Sequence, residues 1–453
     1  MASVESIQTN SVPGTQRRSH SITSLSAATL VDQGEEQALP ILWSHMYASI
    51  GASIGSLGSI LGASRFAMTV MYPVWGYLAD RFSRKMLLVW FTGIWGLWTL
   101  GISFAEDLPQ LLTLRLISGL GLGAFAPAAF SLIGDLFDNE SRGRAIGITR
   151  AVGLFGVLFA VGLFPFVATR HPENWRICFA VMGIASFLTG LLMLMIREPA
   201  RGASEPELRD VVTDQNASRY TFAWSDFWTL LKIRSWRLLL VNELLTKVSI
   251  VVFTGWNFTW LNGLGLATPV FYGTILVVFV GMTVGSILFG WLGDRTERSF
   301  PNRGRITMIQ IGLVIGAPSV YCYLSSTGEN IAWLITFAFL GGVSNCAFSE
   351  GTLWPVAHLI LPPEIRGSNR AFISMVGGAV SAVMLVLSGV IADRVGVSAS
   401  LFWFVPIPIL ISAITWIPMF RTYPHDRSAL HNALMQRRAD LFNLSSNHKE
   451  KNK

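Results

Sequence analysis

The chain has 453 residues, 51% of them hydrophobic and only 13% charged, with 29 Phe, 16 Trp and a net charge of +7. So few charges at a mean hydropathy of +0.49 do not furnish a water-facing surface, which excludes a soluble globular protein and makes the bilayer the solvent. Cys178, Cys322 and Cys346 lie singly in apolar stretches, so neither a metal site nor a disulfide framework is expected.

The N-terminal stretch is polar and lacks a charged region followed by a short apolar run and a small-residue cleavage site, so no leader is expected to be removed. Apolar runs of about 20 residues between polar breaks predict spans. They fall over 24–47, 56–79, 87–105, 110–136, 142–168 and 175–196, and again over 238–262, 268–293, 304–325, 330–359, 367–392 and 399–420. The expected fold is therefore an all-α polytopic membrane protein with twelve transmembrane helices in two six-helix bundles. An eleven-span alternative stays open for the first segment, where Gly34 and Pro40 both weaken a helix. The charge distribution favours twelve. With both ends cytoplasmic, Arg170, Arg176 and Arg394 alone fall on the far side and Arg65, Arg115, Arg150 and Lys247 deep within spans; every other Lys and Arg lies in a cytoplasmic segment or at the cytoplasmic end of a span. The organisation expected is a cytoplasmic tail over 1–23, a bundle over 24–196, a cytoplasmic linker over 197–237, a second bundle over 238–420 and a cytoplasmic tail over 421–453. The positive charge then reflects topology and attraction to anionic headgroups, with no nucleic-acid partner expected.

In chain order, the first chemistry is Asp32, Glu35 and Glu36, three acids inside the first span. A charge at the bilayer centre costs about 3 kcal/mol, so this helix is expected to line a path or pocket. The i, i+3 and i+4 spacing puts Asp32 on the same face as both glutamates, while Glu36 points about 100° away from Glu35. Crowded carboxylates of this kind exchange protons near physiological pH, which makes them candidates for proton coupling or cation binding. The bland alternatives are a surface-lying segment or a static pair with an arginine. On the seventh span Glu243 and Lys247 stand four apart in the stabilising orientation, and are expected to neutralise each other. Trp256, Asn257 and Trp260 combine aromatic faces with one amide, suited to an amphiphilic ligand or to the interfacial aromatic belt. On the tenth span Asn345, Ser349 and Glu350 form a polar stripe and Gly341 and Gly342 thin the helix, so Asn345 and Glu350 are candidate substrate contacts.

The two halves repeat each other. Gly76-Tyr77-Leu78-Ala79-Asp80-Arg81 ends the second span, and Gly290-Trp291-Leu292-Gly293-Asp294-Arg295 ends the eighth. Glu140-Ser141-Arg142-Gly143-Arg144-Ala145 is likewise matched by Glu364-Ile365-Arg366-Gly367 through Arg370-Ala371. Repeats with a site between them near the midplane are the plan of transporters that rock one half against the other. The run from Gly76 through Arg81, Phe82, Ser83, Arg84 and Lys85 resembles the signature loop between the second and third helices of the major facilitator superfamily, departing at Ser83 where glycine is common. Arg115-Leu116-Ile117-Ser118-Gly119-Leu120-Gly121 is similar to the arginine-plus-glycines pattern of its fourth helix. The glycine-proline signature of the antiporters is not matched, since Gly153, Gly156, Gly162 and Pro165 lack its spacing. The acidic first helix ending in Ala38-Leu39-Pro40, Arg65, and Trp175-Arg176 resemble the spinster-type lysolipid and sphingolipid transporters.

The resemblance implies that Arg115 lines the cavity, where it either pairs with Asp32 or Glu35 or clamps an anionic headgroup; an exchange between them would couple proton to substrate. It places Arg65 and Arg150 on helices that pack between the halves, Arg65 as a candidate substrate contact and Arg150 as a latch. It assigns Gly76, Asp80, Arg81, Arg84, Asp294 and Arg295 to gating, with Asp80 latched to the eleventh helix and Asp294 to the fifth. No nucleotide-binding, zincin or nucleophile-elbow motif occurs, so an enzyme and a cofactor are not expected. The expectation is a gradient-driven, proton-coupled transporter of an amphiphilic anion such as a lysophospholipid-like lipid, working as a monomer. A carrier of a small polar organic anion, and a non-transporting membrane sensor, are the alternatives.

Overall fold

In the computed structural model the described residues are 15–136, 139–171, 173–196, 198, 230–348, 350–361 and 366–451. They form helices and connections, with no strand among them. The first set is α1 (Thr15–Met46), α2 (Ser56–Arg81), α3 (Arg84–Ile102), α4 (Leu108–Leu122), α5 (Phe125–Leu136), α6 (Asn139–Ala168) and α7 (Trp175–Met193). The second is α8 (Arg234–Gly263), α9 (Thr268–Ser299), α10 (Gly304–Leu324), α11 (Ile331–Asn345), α12 (Glu350–His358), α13 (Arg366–Val395), α14 (Val397–Phe404), α15 (Pro406–Trp416) and α16 (Met419–Lys451). Every expected span falls on helix, but three are broken within. The fourth breaks at Gly123 between α4 and α5, the tenth at a 3-10 turn over Cys346–Phe348, and the twelfth before Pro406, which has no N–H to continue a helix.

Among the described residues nine helical segments are long and apolar enough to cross a membrane. Their outer faces carry exposed Phe155, Ile184, Leu188, Ile287, Val314 and Ile414, as lipid contact requires. This is an integral, multi-pass membrane protein. The helices α1 and α2, which bear Asp32, Glu35, Glu36 and Arg65, stand outside the nine, as does α4, only 15 residues long. Neither Gly34 nor Pro40 interrupts α1, which starts well before the expected residue 24.

The chain divides into two compact units, and the first comprises Met1–Arg219, Thr254–Gly263 and Gly378–Ser400. Here α1 lies against α6 at backbone distance: a Cβ on Gly156 would stand 1.9 Å from the Leu30 carbonyl oxygen. At one end Leu25, Ala28, Leu88, Phe125, Ala128 and Leu132 form a core shared by α1, α3 and α5. At the other, the start of α2 is fastened to α13. Asp393 accepts from the Gly55 N–H at 2.7 Å and from Ser53 Oγ at 2.7 Å. The second unit comprises Tyr220–Phe253, Leu264–Gly377 and Leu401–Lys453. Its buried polar ties include Ser412 Oγ donating to Asn242 Oδ1 at 2.6 Å and Trp236 Nε1 to Asn369 Oδ1 at 2.6 Å. Arg427 Nη1 to Glu297 Oε1 at 2.5 Å and the Ser235 N–H to Asp426 Oδ2 at 2.8 Å secure the first turns of α16.

Candidate functional site

The first unit gathers its buried charges where α1, α2, α3 and α4 meet. Glu35, at 3% exposure, accepts a short hydrogen bond from the Thr99 hydroxyl of α3, itself 1% exposed. Glu36 points another way, to Arg65 of α2, with Nη2 and Oε1 3.0 Å apart in a half-exposed pair. Among the described residues, Asp32 holds only a long contact from its neighbour Gln33 Nε2, at 3.5 Å. The Tyr72 hydroxyl on α2 lies within electrostatic reach of Arg65, Glu36 and Asp32.

Among the described arginines, Arg115 on α4 is the one with two buried nitrogens left without a hydrogen-bond partner. It is 2% exposed, and its Nε and Nη1 are buried with no hydrogen-bond partner. Glu35 and then Glu36 are the carboxylates whose charge acts on it. A guanidinium offers five N–H donors and does not lose its proton, so leaving them unmade in the interior is costly. The helix that bears it is held by two indoles, Trp75 Nε1 donating to the Leu120 carbonyl at 2.8 Å and Trp95 Nε1 to that of Ile117 at 2.9 Å. Phe91 bridges them, its ring centroid 4.1 Å from that of Trp75 and 5.2 Å from that of Trp95. A cluster of aromatic rings thus packs against the helix that carries Arg115.

Of the residues singled out from sequence, Asp32, Glu35, Glu36, Arg65 and Arg115 come together. Trp256 and Asn257 are buried in the same unit, and Trp256 Nε1 is committed to Ser388 Oγ at 2.9 Å. Asn345, half-buried, and Glu350 at the start of α12 belong to the second unit. There Glu243 and Lys247 do pair, at 3.7 Å. The side chains of Gly76, Asp80, Arg81, Arg150 and Glu350 lie outside the described residues.

The described gating residues have partners on their own side. Asp294 meets Arg305 at 2.5 Å, and Arg295 lies 5.5 Å from the Trp291 ring centroid. Arg84, 2% exposed, donates from Nε to Glu198 Oε1 at 2.9 Å, and that oxygen also accepts the Arg84 backbone N–H at 2.9 Å. Ser83 Oγ meets the other oxygen at 2.5 Å. Glu198 thus sits on the N-terminus of α3, where partial positive charge favours a carboxylate. Burial alone would raise its carboxyl, but the hydrogen bonds from Ser83 and Arg84 and the adjacent guanidinium outweigh it and hold the group below its ordinary value. Glu198, Thr99 and Tyr72 carried no sequence signal, because a threonine or tyrosine in a span and an acid in a mixed polar stretch are each unremarkable alone.

The Major Facilitator Superfamily profile matches residues 25–383. The niacin transporter NiaP of Acinetobacter baylyi is 25% identical over 368 residues, 75% of this chain and 78% of that one. Protein spinster homolog 1 of Mus musculus is 26% identical over 366 residues, 75% of this chain and 66% of that one. A crystal structure of a bacterial homolog to the human lysosomal transporter spinster, inward-facing and unoccupied, superposes with a TM-score of 0.69 at 16% identity, covering 92% of this chain and 98% of that one. The profile spans most of the chain, and the likeness in fold runs almost its whole length: this protein belongs to the Major Facilitator Superfamily.

Proposed function

We propose that the protein is a secondary active transporter that carries an organic anion by proton-linked alternating access. Arg115 anchors the anion, and Glu35 with Asp32 carries the proton. The observation that supports this most is the buried guanidinium whose Nε and Nη1 meet no acceptor while Glu35 is held by Thr99. An anionic head would supply the missing acceptors, and a guanidinium binds carboxylate or phosphate well. The bundles over 24–196 and 238–420 would rock about the site, with both termini cytoplasmic.

The anion is an amphiphile such as a lysophospholipid-like lipid, in keeping with the spinster relatives and with the aromatic rings of Trp75, Phe91 and Trp95 packed on the helix of Arg115. A small organic acid is the second candidate, favoured by the niacin transporter, whose own length is matched more fully. The test is flux in proteoliposomes under an imposed pH gradient, with lysophosphatidate and nicotinate supplied together and counted by mass spectrometry. Movement of either by the wild type, stalled in Arg115→Ala and Glu35→Gln, is the expected result. Wild-type flux that survives both substitutions refutes the assignment.

A further inference from the structure

Glu35 has two buried groups within reach and is bonded to one of them. It takes the hydroxyl of Thr99 and leaves Arg115, whose charge acts on it through space, with Nε and Nη1 unbonded. The helix is built to present Thr99 there. Over Val89–Ile94 α3 runs as a π turn, with the Trp95 N–H donating to the Trp90 carbonyl five residues back at 2.8 Å. Such a turn adds one residue and rotates all that follows by about 100°. A regular helix would instead aim Trp98 at α1; here Trp98 is exposed. Gly93 inside the turn lies against Gly190, where a Cβ would stand 2.5 Å from the Gly190 Cα.

A hydroxyl can donate to a carboxylate or accept from a carboxylic acid, so Thr99 keeps protonated Glu35 without competition, whereas Arg115 competes with Thr99 for the ionised form alone. Among the described residues, the other charged groups nearby are Asp32 and Glu36 on α1 and Arg65 on α2, with Arg65 taken by Glu36, and the titratable neutral group is Tyr72 on α2. From α6 and α7 the contacts on this part of α1 include Gly153, Gly156 and Met182, all uncharged. We infer that Thr99 is a positioning residue that holds Glu35 off Arg115 and so keeps the guanidinium open to the substrate anion. The inference rests on Arg115 being the anion anchor. Protonated Glu35 stays on Thr99 while the anion binds; ionised Glu35 swings to Arg115 and displaces it.

Two readouts need no substrate. The infrared carboxyl band that disappears in Glu35→Gln should shift in Thr99→Val and return in Thr99→Ser. Phenylglyoxal labelling of Arg115, which at 2% exposure reacts only when the site opens during the transport cycle, should slow in Thr99→Val, because the freed carboxylate covers the guanidinium, and recover in Thr99→Val combined with Glu35→Gln. In flux, KM for whichever probe moves, lysophosphatidate or nicotinate, should rise about tenfold or more in Thr99→Val while kcat falls much less, the size expected for losing a hydrogen bond to a charged group. Thr99→Ala repeats the measurements should Thr99→Val not fold. An unmoved band, or labelling and KM equal to wild type in folded Thr99→Val, overturns the inference. Absence of wild-type flux with both probes would instead strike the anion-carrier assignment, and the band and the labelling would still decide the role of Thr99.

Discussion

Arg115 and Arg84 are equally buried at 2% exposure, yet replacement by methionine should lower stability at Arg84 and not at Arg115. Arg84 bonds Glu198, so Arg84→Met leaves a carboxylate without its cation. Breaking a fully buried pair costs about 3–5 kcal/mol. Glu198 is partly exposed and keeps the Ser83 hydroxyl and the backbone N–H of residue 84, so the expected loss shrinks to about 1–2 kcal/mol. Arg115 makes no bond through Nε or Nη1. Methionine at 115 fills similar space and removes unmet donors worth about 1–3 kcal/mol. The attraction to Glu35 is lost too, but that carboxyl can take a proton and remain on Thr99, an escape that a guanidinium lacks. Arg115→Met should therefore raise the apparent Tm of the purified protein, or leave it unchanged, while abolishing anion flux. Tryptophan fluorescence during heating at one fixed scan rate reads this, since membrane proteins seldom unfold reversibly. Should Arg115→Met lose as much Tm as Arg84→Met, the cation is paired in the native protein and the anion-anchor argument fails.

Three further expectations follow from the packing. Glu198 is held below its ordinary value, so its stabilisation is fully present above the unfolded glutamate pKa of about 4.3 and lost as pH falls through the lower folded value. The Tm gap between wild type and Glu198→Gln should stay constant from about pH 7 to pH 5 and close only below about 4.3; a gap that closes near neutrality contradicts this. On α6, Gly156→Ala forces a Cβ to 1.9 Å from the Leu30 carbonyl and should cost about 1–3 kcal/mol, while Gly162→Ala, with nothing within 4 Å, should gain up to about 1 kcal/mol of helix propensity. Equal melting shifts in the two would mean that α1 and α6 do not touch as described. Asp393→Ala removes the acceptor for Gly55 and Ser53 and should cost about 1 kcal/mol, with Asp393→Asn intermediate; an order with Asn below Ala would refute the capping role.

The helices were legible because hydropathy and positional charge act over whole spans, and local breaks within a span barely alter either. The interruption at Cys346–Phe348 and the π turn at Val89–Ile94 have no residue code of their own; both are set by what packs alongside, Gly190 against Gly93 in the second case. Pro406 was readable as a break in principle, but the apolar run around it reads as one span. The site divides along the same line. An acid or an arginine inside an apolar run announces itself through its desolvation cost, so Asp32, Glu35, Glu36, Arg65 and Arg115 stand out before any fold is known. Spacing adds direction, and the 100° between Glu35 and Glu36 indeed sends them to different neighbours, Thr99 and Arg65. What stands in each direction is tertiary. Thr99 reaches Glu35 only because a one-residue insertion turns α3, and Glu198 reaches Arg84 only because the chain beyond α7 returns to the start of α3. Sequence thus reveals which groups need partners, because that need is a property of the residue in its solvent. The supply of partners depends on register and return paths, and there an uncharged hydroxyl can decide whether a cation is left open to a ligand.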